Sequence, residues 1–436
     1  MQNLFKDFGL EIVDKENISN INLCKNTEDV RVKPVILITG ISSQIGNDLA
    51  NLIQSSWKPK FLSDSKELEA FKNHPSESGT YAEKTKEKFI NYVHSLETSK
   101  YSFFDIYCTS SSELDMSDIT ELREYINRRK PDYIINLAAF TNVQACGTNP
   151  NAFKVNTKAV EVFAEYIRNN KAKLLHVSTD FVYNKDTNRN DKGLILSETI
   201  PTGIPCNHYA IQKMLSEAII DNAVNKPECK GVAEIVRVSH LFSTHKNNIV
   251  KSLTRNLINR SVTKAVSDNR FVPTYSENVA KFIAMSILTF HPNKDYKGKC
   301  YPECSNFVEN IEPMSTNDLT LMIKSVIKNI DENTETLRKK DDGISIGSVL
   351  SVTSDFYVSE SELPEMLPTD TALARDCKYF TPYPDSDNST KEINKLIDNL
   401  MLKYDYVSCS DAIKTVTGIE YANQLNSITL QMQIKG

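Results

Sequence analysis

The stretch PVILITGISSQIGNDL, residues 34–49, decides the fold. Its first half is a continuous apolar, β-branched run, the pattern of a parallel strand covered on both faces. Gly40 ends the run and permits a sharp turn, and a helix-like pattern follows from about Gln44 to Ile53. Gly46 lets that helix pack closely on the strand. A strand that turns so tightly into a helix leaves backbone N–H groups at the helix start, where a pyrophosphate can bind. Ser43 stands where the usual glycine-rich turn has its middle glycine. Its hydroxyl can donate to a phosphate, while its Cβ narrows the approach.

Outward from this turn, strands and helices alternate. YSFFDIYC (101–108) predicts a second strand, and SDITELREYINRRK (117–130) an amphipathic helix with Ser117 as N-cap. PDYIINLAA (131–139) is a third strand, 151–169 a helix, and AKLLHVST (172–179) a fourth strand. A helix over about Asn207–Asn222 and the strand AEIVRVSHL (233–241) complete the series. This alternation predicts an α/β fold, a Rossmann-type doubly wound parallel sheet, with a smaller C-terminal substrate-binding lobe. The expected organisation is a polar extension (1–32), a dinucleotide-binding domain (33–245) with an insertion at 55–100, a smaller lobe (246–387) and a tail (388–436). Helices are expected near 247–259, 276–290, 316–330 and 390–403, with one amphipathic helix near 82–95 inside the insertion and a strand-like piece at 297–303.

Composition narrows the functional classes. The chain has 436 residues, 40% hydrophobic and 25% charged, and a net charge of −5. That balance lacks the basic face a nucleic-acid binder needs. No apolar run approaches the roughly 18 residues of a membrane span. The first residues carry acids early and do not read as a secretory signal. Nine scattered cysteines suit free thiols in a reducing compartment, so a cytoplasmic location is expected. Cys300 and Cys304 have no second ligand pair at zinc spacing, and no metal site is expected.

The chemistry is read from STDFVY (178–183) together with Tyr209-Ala-Ile-Gln-Lys213. A tyrosine and a lysine four apart on a helix share a face. The ammonium is expected to lower the phenol's pKa, so that Tyr209 delivers a proton to a carbonyl oxygen while a hydride arrives from a dinucleotide. Thr179, at a strand's C-terminal end, is expected to donate to the same oxygen. The strand-two end, CTSSSE (108–113), offers hydroxyls but no arginine, so NADP and NAD both remain open, with Asp115 placed toward the adenine side.

In these pieces the chain resembles the dTDP-4-dehydrorhamnose reductase family of extended short-chain dehydrogenases, which also contains the regulatory beta subunit of methionine adenosyltransferase. The matching segments include TGISSQIG (39–46), KPDYIINLAAFTNV (130–143), LLHVSTDFVY (174–183), IPCNHYAIQKMLSE (204–217) and DNRFVPTYSENVA (268–280), with a fainter echo at 367–380. The resemblance implies a catalytic trio of Thr179, Tyr209 and Lys213. It implies a cofactor site lined by Gly40, Gln44, Ile45, Gly46, Ala138, Ala139, Thr141 and Lys213, in the turn that also carries Ser43. It implies a substrate pocket near Phe181, Arg237, Arg270 and Pro273. The expected activity is NAD(P)H-dependent reduction of a nucleotide-sugar ketone. The alternative is a regulatory subunit that binds a methionine adenosyltransferase catalytic subunit, with 55–100 and 388–436 as contact elements. A homodimer is compatible with either. Departures from the family pattern are Ser43, Gln144, Gly147, Ala210, Gln212 and Phe271.

Several residues have plainer readings. His176, inside a strand, reads as a satisfied core histidine, and His208 as a solvated helix-start residue. Arg237 fits an internal ion pair as well as a phosphate contact. Asn136 and Asn156 read as backbone braces around the cofactor site, and the Lys/Glu run at 82–88 as a solvated face.

Overall fold

The computed structural model describes residues 34–56, 104–183, 202, 205, 207–288, 290, 302–309, 311–333, 346–353 and 407–435. The expected helices at 82–95 and 390–403, the N-terminal extension and most of the 55–100 insertion lie outside them, as does most of the 297–303 strand.

Among the described residues a parallel sheet of six strands forms the centre, in the order β2-β1-β3-β4-β5-β9. Its strands are β1 (Val35–Thr39), β2 (Asp105–Thr109), β3 (Tyr133–Asn136), β4 (Lys173–Thr179), β5 (Val232–Val238) and β9 (Glu303–Phe307). The strand order reverses between β1 and β3, and there the carboxyl ends open a crevice. Alternation along β1 sends Ile36 and Ile38 to one face and Leu37 to the other. Both faces are covered, which is why the strand reads as apolar throughout.

On the first face α1 (Gln44–Ser56) packs beside α7 (Ser276–Leu288), through Ile45, Leu49 and Ile53 against Val279, Ile283 and Ile287. On the second face lie α2 (Ile119–Arg129), α4 (Ala159–Asn169) and α5 (His208–Val224). Asp118 caps α2, its side chain accepting from Thr120 and Glu121 N–H; Ser117, expected in that role, precedes the cap. The helix expected over 151–169 is three pieces: α3 (Pro150–Phe153), a π-turn (Lys154–Lys158) and α4. The wider turn puts Asn156 and Thr157 inside, where both bond to Gln212, while Phe153 stays exposed.

A third core lies beyond the sheet. It joins α6 (Ile249–Asn259), α8 (Thr316–Asn333) and α9 (Cys409–Lys435), with Phe242, Phe271 and Tyr275. Two short parallel ladders flank it: β6 (Leu241–Phe242) with β8 (Thr274–Tyr275), and β7 (Val262–Val266) with β10 (Ser348–Val352). Two elements from the stretch assigned to the smaller lobe, α7 and β9, thus belong to the central sheet layer. The tail is corrected more sharply: Cys409, Ala412, Ile413, Val416 and Tyr421 are buried in the third core. No described helix is long and apolar enough to cross a membrane.

Candidate active site

The crevice at the β1/β3 reversal is floored by the first turn. Gly40 has φ +70°, and a Cβ there would lie 2.5 Å from Ala138 N. At Gly46 a Cβ would meet Ile41 O at 2.4 Å. Both glycines are therefore demanded by backbone approach. Ser43 caps α1, its Oγ accepting from Gly46 N at 3.0 Å. The Ser43 hydroxyl proton stays available to donate. Gln44 and Ile45, in the helix's first turn, have N–H groups without intrahelical acceptors. The Gln44 side chain instead reaches the turn after Phe242, accepting from Ser243 Oγ at 3.0 Å.

The opposite wall is the loop after β3. Ala138 and Ala139 are partly buried and Thr141 is exposed. Asn156 holds this loop by accepting from Phe140 N (2.8 Å) and donating to Phe140 O (3.0 Å). At the end of β2, Glu113 turns back to accept from Ser110 N at 2.6 Å. Asp115 is exposed and caps Ser117 N at 2.8 Å. Among the described residues no cluster of three or more His, Cys, Asp or Glu could hold a metal ion.

The α5 N-terminus, capped by Asn207, presents Tyr209 half-buried beside Phe181, with ring centroids 5.7 Å apart in a T-shaped contact. Burial pushes the Tyr209 phenol up, the Asp180 carboxylate and the Cys146 thiol add to this, and hydrogen bonding with the Thr179 hydroxyl opposes it. The expected lowering by Lys213 is not what shapes this phenol. Lys213 Nζ turns inward, to His176 Nε2 (3.0 Å) and Val177 O (2.9 Å). Burial brings its pKa down to about 8, against the opposing pull of Glu217. Thr179 is also engaged: its hydroxyl donates to Asp180 Oδ1 at 3.0 Å and accepts from Phe181 N at 3.3 Å.

Of the residues expected to meet substrate, only Phe181 stands beside Tyr209. Arg237 is a closed internal ion pair. Its Nε and Nη2 take both oxygens of Glu217 (3.1 and 2.7 Å), and its Nη1 donates to Tyr183. Pro273 is buried, its carbonyl facing the Cys409 thiol at 3.6 Å. Arg270 is exposed, bonding to the carbonyls of Ser267 and Asn269.

Two residues not assigned from the sequence complete the wall. Asp180, almost fully buried, accepts from Thr179 and from Ser239 Oγ (2.5 Å). His240 has φ +36°, stacks on Phe271 at 4.0 Å and brings Nδ1 to 3.7 Å from Asp180 Oδ2. A non-glycine residue in left-handed conformation at a pocket wall is a recurrent functional-site feature, and no sequence pattern announces it. Asp180 was visible in the Ser-Thr-Asp strand end.

Residues 93–302 match the family model of the RmlD substrate binding domain. The dTDP-4-dehydrorhamnose reductase of Aggregatibacter actinomycetemcomitans is 32% identical over 184 residues, 41% of this chain and 58% of that protein. Its counterpart in Burkholderia thailandensis is 29% identical over 178 residues, 41% of this chain and 56% of that protein. The chain thus spans little more than half the length of these curated relatives. Two solved structures share the fold. One is dTDP-4-dehydrorhamnose reductase from Bacillus anthracis in complex with NADP (TM-score 0.52, 18% identity, 85% of this chain and 99% of that one). The other is Pal from Bacillus thuringiensis (TM-score 0.55, 18% identity, 90% and 99%). Over residues 93–302 the chain therefore matches the RmlD substrate binding domain family, and its fold is that of the dTDP-4-dehydrorhamnose reductases.

Proposed function

We propose that the protein is an NAD(P)H-dependent reductase of a nucleotide-sugar ketone. The observation that carries this reading is that two features follow the carboxyl ends of parallel strands in one sheet: a turn stripped of Cβ atoms at Gly40 and Gly46 after β1, and Phe181 with Tyr209 and Thr179 at the end of β4. The turn fits a dinucleotide, with N–H groups of Gln44 and Ile45 and the Ser43 hydroxyl for its pyrophosphate, and the 138–141 loop for its other flank. A nicotinamide dinucleotide bound there would supply the hydride. Tyr209, kept protonated by its surroundings, delivers its proton to the carbonyl oxygen. Thr179 keeps Tyr209 and Asp180 in register. Phe181 and His240 offer ring faces to a sugar.

Of the contact elements named for the regulatory alternative, nearly all of 55–100 and all of 388–406 lie outside the described residues, and in the last helix Cys409, Ala412, Ile413, Val416 and Tyr421 are buried in the third core. The test pairs two measurements on the full chain. NADPH or NADH oxidation is followed with a dTDP-4-keto-6-deoxy sugar, and association with methionine adenosyltransferase is followed by co-purification. Turnover that falls about 100-fold or more in Tyr209→Phe, with dinucleotide binding kept, is the expected result. Full turnover in Tyr209→Phe removes the assignment, and association without turnover favours the regulator.

A further inference from the structure

Lys213 reaches the interior from α5 and ends against a histidine on β4, and the protonation of this pair follows from its neighbours. The Ala138 N–H can only donate, and it donates to Asn136 Oδ1 at 3.2 Å. The same oxygen accepts from Thr39 Oγ1 at 2.8 Å. The carboxamide is thereby fixed with Nδ2 toward His176 Nδ1, 3.0 Å away. Nδ1 must accept, so a neutral His176 carries its proton on Nε2. That N–H faces Ser216 Oγ at 3.2 Å, whose own proton goes to Lys213 O at 2.7 Å. It also faces Lys213 Nζ at 3.0 Å. An amine can accept there while still donating to Val177 O; an ammonium has no lone pair and meets a donor head-on.

We propose that His176 is a positioning residue that sets the charge of Lys213, and through it the pH range over which the Tyr209 site is supplied with positive charge. The proposal deepens the reductase reading and rests on it for its catalytic consequence. The chain Thr39–Asn136–His176 reaches Lys213 from β1, β3 and β4, outside the tyrosine–lysine helix. The other ionisable groups in play are Glu217 and Tyr209, one turn to either side of Lys213 on α5. Asp180, after β4, and Cys146, after β3, act on Tyr209. Glu217 is itself tied to Arg237. Burial and the neighbouring Lys213 hold the His176 imidazole well below its ordinary range, so it stays neutral.

The consequence is electrostatic. In reduction Tyr209 gives its phenolic proton to the substrate oxygen and becomes a phenolate, which regains a proton from water before the next turnover. Lys213, one turn along α5, brings a positive charge to that step only as the ammonium, and the amine that His176 is arranged to meet brings none.

The test begins with the unaltered protein. Long-range 1H–15N spectra read the histidine tautomer directly, and His176, identified by its loss in His176→Phe, is expected to be protonated at Nε2. A proton at Nδ1 overturns the proposal. Lysine side-chain NMR over pH 6 to 11 then follows the resonance missing from Lys213→Met. It is expected to titrate near 8 and to rise by about one unit or more in His176→Phe, which keeps the ring's bulk without its N–H. A Lys213 titration unmoved or lowered in that variant means that burial alone sets the charge, and the proposal fails. If His176→Phe does not fold, Asn136→Asp is the second variant: its carboxylate turns the histidine over, and the Nδ1-protonated form should appear together with a raised Lys213 titration. The basic limb of kcat/KM should move up with the Lys213 titration. Absence of turnover with the NMR results intact counts against the reductase reading, whereas a static limb beside a moved titration counts against the role of His176.

Discussion

Lys213 and Arg237 are both buried cations, 2% and 5% exposed, on neighbouring elements around β4. They differ in what meets them. Arg237 faces a carboxylate in a two-pronged contact, with Ser178 donating to the same Glu217 oxygen at 2.5 Å and Tyr183 on its third nitrogen. Lys213 bonds to a histidine and a carbonyl, neither of which neutralises it. A buried charge with every partner supplied is locked in one protonation state. A buried charge held against neutral groups has a depressed pKa and can exchange a proton near neutrality. The contrast separates framework from chemistry one helical turn apart.

The largest expected effect tests the framework half. Glu217→Ala leaves the Arg237 guanidinium buried with no carboxylate, and denaturant unfolding should show a loss of about 3–5 kcal/mol or failure to fold. A loss below about 1 kcal/mol would mean that water reaches Arg237, and the distinction would collapse. Next comes the chemical half. Lys213→Met removes a cation that burial already disfavours, so unfolding stability should stay within about 1 kcal/mol while turnover falls about 100-fold or more. A large stability loss with modest loss of turnover would make Lys213 framework too.

A smaller effect comes from pH. His176 has a folded pKa below its ordinary 6.5, and Lys213 is lowered from 10.5 to about 8. Each binds fewer protons folded than unfolded, so stability rises with pH through each window. For Lys213 the window runs from about 8 to 10.5; for His176 it lies below 6.5. On acidification below 6.5 the folded state should lose up to about 1.4 kcal/mol per pH unit from His176 alone. Melting curves of wild type and His176→Phe at stepped pH isolate this share from that of the carboxylates. Parallel curves would show that His176 does not titrate differently on unfolding.

The same contrast explains what the sequence revealed. The sheet was legible because apolar strands and amphipathic helices follow fixed periods, and Gly40 and Gly46 mark backbone approaches that admit no other residue. Tyr209 and Lys213 were legible as one helix face. Their electrostatics were not, since the direction Lys213 takes depends on Asn136 and His176, which arrive from two other strands. Arg237 could be placed on a strand end but not assigned a partner, because Glu217 lies on α5 and only the packing of that helix on the sheet brings it near. His240 depends on a positive φ, which no residue type encodes outside glycine and a few polar residues. The last helix was opaque because its apolar residues answer to α6 and α8, far away in the chain.

The smallest expected effect is at Arg270, where the family resemblance implied substrate contact and the geometry gives a surface role. Its guanidinium bonds to the carbonyls of Ser267 and Asn269, both within three residues of it, and comes no closer than 3.8 Å to Asp318. Both side chains of that pair are about half exposed (47% and 55%), so solvent screens their attraction. Asp318 does not depend on it: its lowered pKa comes first from the Ser315 hydroxyl and backbone N–H, with Arg270 a lesser influence. Arg270→Ala should therefore change unfolding stability by no more than about 0.5 kcal/mol. It should leave KM for the nucleotide sugar and kcat as they are. Steady-state kinetics beside melting curves will check this. A tenfold rise in KM at unchanged stability would return Arg270 to the substrate site, and would show that the segment before Phe271 closes over the crevice when a sugar is bound.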